Sequence, residues 1–172
     1  MKYVLFLSLL AAVSIVGVAS PPSKPTDIRK PGVYQLKLVV SDKVIARCSI
    51  TIIPYSHCHD MPAPWAGWGG DLDTSWAKIY SLFREIKLWV GDHEVLVPLS
   101  CYGDLVNPDN ALLAVIPNGY ALEINGADAA LSYHATITFD NKWIRSRKVF
   151  AGEDPAAWQL TTYHPDTVGI GP

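Results

Sequence analysis

The chain is short of charge. Asp, Glu, Lys and Arg make up 17% of its 172 residues, against 49% hydrophobic residues. Its 14 basic and 16 acidic side chains leave no positive excess to attract a polyanion. Nucleic acid is therefore not an expected partner. The same composition excludes a disordered chain, which needs low hydrophobicity and high charge. After the first twenty residues no apolar run approaches the roughly 20 residues of a membrane-spanning helix. No nucleophile elbow, phosphate loop, zincin helix or paired-carboxylate pattern occurs. No internal repeat is present, no cofactor is implied, and the reading is of a protein that is not an enzyme.

Cysteine is scarce too, with three in all: Cys48, Cys58 and Cys101. What precedes them decides how they read. MKYVLFLSLLAAVSIVGVAS opens with one charge, Lys2, then an apolar run ending in small residues. This is the pattern of a secretory signal peptide, with cleavage expected after Ala19. The product, 153 residues with a net charge near −3, is exported, with the periplasm as the expected compartment and no stable membrane insertion. An oxidising compartment favours pairing, and an odd count leaves one thiol over. Cys58 and Cys101 both fall near strand ends, and Cys48 sits mid-strand among aliphatic residues. A Cys58–Cys101 bridge is favoured, with Cys48–Cys101 as the alternative.

Alternation of apolar and polar residues dominates the rest. GVYQLKLVV and VIARCSITII flank a short polar turn and read as a hairpin. In the second of these, Val44, Ala46, Cys48, Ile50 and Ile52 share the core-facing side. Gly91-Asp92 marks another tight turn, between EIKLWV and HEVLVPLSCY. In ALSYHATITF, Leu131, Tyr133, Ala135, Ile137 and Phe139 alternate with polar residues, as in a half-buried strand. One segment breaks the pattern. Trp76, Ile79, Tyr80 and Phe83 lie at helical spacing behind Asp73, which predicts one short helix over about 74–85, with a strand as the competing reading. The fold class is mainly β, an antiparallel β-sandwich or partly open barrel with one short helix. Residues 20–31 form an extended lead-in, 32–164 a single domain, and 165–172 a frayed tail.

Chemistry-bearing residues are few. SHCHD places His57 and His59 around Cys58, and His93 and His134 lie elsewhere. A zinc site needs three or four ligands, and the spacing does not supply them, so no metal is expected. PAPWAGWGG carries Trp65 and Trp68, which with Tyr55 make an alternative carbohydrate- or peptide-binding site, or else fold back over the core. Trp143, Arg145 and Arg147 alternate along one strand, where they protect an edge or form an interaction stripe. The stretch GDLVNPDN follows Cys101-Tyr102 and is the leading candidate for partner contact. Tyr102, Asp104, Asn107, Asp109 and Asn110 are its contact residues, and an acidic loop of this kind suits a basic enzyme.

The signal MKYVLFLSLLAAVSIVGVA, the β-meander from Tyr34 to His164 and the loop YGDLVNPDNA together form a layout. That layout resembles the periplasmic immunity proteins paired with type VI secretion amidase effectors. The resemblance implies a protein without catalysis of its own that pushes a loop into the cysteine–histidine cleft of a cell-wall amidase. For this chain that loop is Gly103–Asn110. The implied function is protection of the producing cell by occluding a peptidoglycan-degrading enzyme.

Overall fold

The computed structural model describes residues 24–40, 42–57, 68–70, 80–127, 131–152, 156 and 158–164. Ten strands carry the fold. They are β1 (Thr26–Asp27), β2 (Gly32–Val40), β3 (Lys43–Pro54), β4 (Ser81–Val90), β5 (His93–Val95), β6 (Pro108–Ile116), β7 (Gly119–Gly126), β8 (Tyr133–Phe139), β9 (Ile144–Ala151) and β10 (Trp158–Thr162). They form two antiparallel sheets, β1-β6-β7-β8-β9-β10 and β2-β3-β4-β5, which are not closed into a barrel. The architecture is a β-sandwich, with β2 and β3 facing β6 across the core. No helix among the described residues is long and apolar enough to cross a membrane.

Side-chain alternation produces this packing. Ala46, Cys48, Ile50 and Ile52 of β3 are buried, and so are Tyr133, Ala135, Ile137 and Phe139 of β8. Leu131, expected on the same face as the β8 residues, precedes the strand and is exposed. The tight turns are where the sequence puts them. Between β4 and β5 only Gly91 has a positive φ, +57°, as a turn with glycine in its first central position requires. At the other end of the chain, the lead-in is partly built into the domain. β1 pairs with β6, and Ile28 is fully buried.

The expected helix over 74–85 is corrected for its described part, because Ser81–Glu85 belong to β4. Residues 71–79, including Trp76 and Ile79, lie outside the described residues. Phe83, the last residue of that spacing, sits at a β-bulge. Thr51 pairs with Glu85 and Ile52 with Phe83, so Arg84 is an extra residue in the ladder. The extra residue turns Phe83 and Ile86 to the same side, and both are buried. A second bulge corrects the Trp143/Arg145/Arg147 stripe. Thr138 pairs with Ser146 and Phe139 with Ile144, so Arg145 is the extra residue and Arg147 turns inward. Moreover β9 lies between β8 and β10 and is not an edge.

The expected Cys58–Cys101 bridge is not formed in this structure. Cys101 is a free, fully buried thiol, and so is Cys48, so the alternative pairing is not formed in this structure either. Cys58 lies outside the described residues. Burial raises the Cys101 thiol to about 11, and burial raises Cys48 further. At pH 8 the Cys101 thiolate is then about one part in a thousand, and thiolate is the reactive form. Unreduced native protein is expected to leave both thiols unreacted with a colorimetric thiol reagent at pH 8, and to release at least two when denatured. A single thiol after denaturation would show that two of the three cysteines are bridged, and would contradict two free buried thiols.

Candidate functional site

The stretch Gly103–Asn110 is not a protruding loop. None of its residues is fully exposed, and Leu105, Val106 and Pro108 are buried. Its polar residues are spent mostly on the fold itself. Asn107 adopts φ +49°, a left-handed conformation that asparagine tolerates. Its side-chain Oδ1 accepts from the Ser81 N–H at 3.1 Å, and its Nδ2 donates to the Gly69 carbonyl at 3.1 Å. Its backbone N–H donates to Ser81 O, and its carbonyl accepts from the Ala127 N–H. Asn107 thus ties together the start of β4, the segment at Gly69 and the end of β7.

Asp104 also serves the interior. Its Oδ1 accepts from Arg147 Nη2 at 2.6 Å, and Arg147 is 2% exposed. Arg147 Nη1 donates to Gln159 Oε1 at 2.9 Å, and that oxygen also accepts the Trp68 indole N–H at 3.3 Å. Trp68, expected as an alternative ligand platform, is therefore half-buried against the core with its N–H engaged. It folds back as a lid. Trp65 lies outside the described residues, and Tyr55 packs on Leu82 and Val106. Tyr102 is buried with its ring 6.3 Å from that of Phe83. Tyr102, Asp104 and Asn107, expected as contact residues, are engaged in the fold.

Asp109 and Asn110 behave differently. Pro108 pairs with Gly126 and Asn110 with Asn125, so Asp109 is a bulge residue. Bulges re-aim side chains. Asp109 lines an open hollow of about 400 Å³ shared with Arg29, Tyr80, Asn107 and Leu131. Asn110 lies beside it on the outer face of the six-stranded sheet. Ladder register there sets a row across four strands, Asn110, Asn125, His134 and Phe150, which ends at Trp158.

Hydrogen bonds lock much of that row. Asn125 Nδ2 donates to Asn110 Oδ1 at 3.0 Å. With Asn125 Oδ1 left as acceptor, His134 Nδ1 donates to it at 2.7 Å, and the Thr136 hydroxyl donates to His134 Nε2 at 3.1 Å. The row ends in aromatics. Lys148 Nζ sits 4.4 Å from the Phe150 ring centre and 4.9 Å from that of Trp158, within cation–π range. Sequence reading missed Asn125, His134, Phe150 and Trp158. The polar side of ALSYHATITF was the available signal, but register across strands is needed to join its residues to Asn110.

His93 and His134 do not converge. His93 is in β5 of the smaller sheet and His134 is in β8 of the larger one. His57 lies in a 3-10 turn, and His59 is outside the described residues. Among the described residues no group of three metal-ligating side chains is present. Comparison with protein-family models, with characterised protein sequences and with solved structures finds no match to this chain.

Proposed function

We propose that this protein is an exported inhibitor of the immunity type, which binds a peptidoglycan-degrading amidase and covers its active site. The observation that carries this reading is a preordered surface. Asp109, which lines the hollow, is followed in the chain by Asn110, where the hydrogen-bonded row Asn110–Asn125–His134–Thr136 begins. Side chains already held in place lose little rotamer freedom on binding, so more of the contact energy appears as affinity. A two-sheet scaffold with this surface also suits the rigid docking of inhibitor complexes. The mode of contact differs from the one the layout resemblance implies. The surface at Asp109 is concave, so it receives a protruding element of the enzyme and inserts no loop of its own.

A second reading rests on the other end of the row. Phe150 and Trp158 on an open sheet face, beside amides and hydroxyls, form a surface that a wall glycan could stack on. Calorimetry with variants separates the two. Asp109→Lys combined with Asn110→Trp is expected to weaken a 1:1 complex with a cysteine–histidine amidase about 100-fold, and Trp158→Ala to leave it intact. Loss of Trp fluorescence with wall fragments, abolished by Trp158→Ala, and no amidase binding would replace the inhibitor reading with the glycan one.

A further inference from the structure

We propose that β10 pairs edge to edge with β10 of a second copy of this chain, antiparallel about Leu160, to make a continuous twelve-stranded sheet. β10 is the outermost strand of its sheet. Tyr163 N–H donates to the Arg145 carbonyl at 3.0 Å, in line with the β9–β10 register. In an antiparallel ladder, residues of one parity face the neighbouring strand. Gln159 and Thr161 therefore turn their backbone groups to β9. Trp158, Leu160 and Thr162 turn theirs outward, away from the sheet.

That outward set is self-complementary. With Leu160 opposite its own copy, Trp158 falls opposite Thr162 of the second chain, and the reverse holds at the other end. Each pair then exchanges two backbone bonds. A twofold axis normal to the sheet keeps the outer faces of the two copies on the same side. Trp158 and Leu160, which are 53% and 50% exposed, lie on that face.

Charge and length single out this edge among the described residues. Natural edges are protected by charge, proline or shortness. β1 has two residues, β5 has three with His93 and Glu94, and β2 carries Lys37. β10, WQLTT, has no ionisable residue and no proline. On the outer face the cation beside β10 is Lys148, opposite Leu160 in β9. It and its copy sit three strand spacings apart, roughly 14 Å, beyond the screening length of about 8 Å. A foreign strand has no such built-in match, so a second copy is the occupant the edge fits. Five-residue strands bury less than the roughly 1,200 Å² of a stable interface, so the dimer is expected to be micromolar rather than obligate.

Sedimentation equilibrium of the mature protein, from micromolar to near-millimolar concentration, tests this. The expected result is a concentration-dependent rise from monomer to dimer mass. Leu160→Lys sets two ammonium groups face to face at the axis and is expected to lower the dimer association constant at least about tenfold. Val33→Lys, on the edge strand β2, is expected to leave it unchanged. If Leu160→Lys lowers the melting temperature, Thr162→Lys is read in its place. Monomer at every concentration, a dimer indifferent to the β10 changes, or equal weakening by Val33→Lys would each overturn the proposal.

Discussion

Replacing Asp104 with alanine is expected to cost about 3–5 kcal/mol and to lower the melting temperature by roughly 10 °C. The reason lies in Arg147. A bulge at Arg145 turns the guanidinium inward, where it is 2% exposed. Among the described residues its charge is matched by one carboxylate, Asp104, whose side chain is 32% exposed, and its second anchor is the neutral Gln159. Among the described residues Arg147 Nε has no hydrogen-bond partner, so they offer the group no spare compensation. Without Asp104 the structure must hold an unpaired buried cation or open to hydrate it. The pair is not itself a large source of stability, because burying both ions is costly. Asp104→Leu combined with Arg147→Met is therefore expected to recover most of the loss. Urea unfolding of the three proteins checks this. A cost below about 1 kcal/mol for Asp104→Ala would mean that Arg147 reaches solvent or another anion.

The second large effect is expected at Gly69. Its φ is +95°, and an added Cβ would stand 2.4 Å from the Val106 carbonyl oxygen and 2.7 Å from the Tyr133 ring. Neither neighbour can give way easily. The carbonyl is main chain, and Tyr133 is 2% exposed, with its ring also tight against Gly126. Gly69→Ala is expected to destabilise by about 4 kcal/mol, from strain at the positive φ plus displacement of backbone. Gly91→Ala is the control. Its φ is also positive, +57°, but nothing lies within 4 Å of the added atom, so about 1 kcal/mol is expected. The comparison bears on the site. Gly69 lines the hollow, and its carbonyl holds the Asn107 side chain. A folded Gly69→Ala protein is therefore also expected to lose the shape of that hollow.

The β-sandwich was legible because its signal is local. Two-residue alternation placed Ala46, Cys48, Ile50 and Ile52 of β3 and the apolar residues of Tyr133–Phe139 inward, while Val44, read on the same side, is exposed; glycine and asparagine marked turns. Bulges were not legible. Each inserts one residue and reverses the alternation beyond it, and nothing in the residues around Arg84, Asp109 or Arg145 announces the insertion. The misassigned Arg147 and the unforeseen aim of Asp109 share that cause. The candidate site was legible only at Asp109 and Asn110. Asn107 and Asp104 have the composition of a binding loop, but their hydrogen-bond partners come from residues 26 to 43 positions away. A polar side chain on a surface turn and one that braces the interior look alike until those partners are known. The row through Asn125 and His134 needs the register of three strands at once, which no single segment encodes.

The central claim is that the surface around Asp109 and Asn110 inhibits a cell-wall amidase. The most direct test titrates the mature protein into a cysteine–histidine peptidoglycan amidase from the same source and follows release of cleaved wall peptide. The account predicts that turnover falls linearly to zero at one equivalent, and that the Asp109→Lys/Asn110→Trp variant leaves it untouched at the same ratio. Full turnover in the presence of excess unaltered protein, or equal inhibition by the variant, would contradict it.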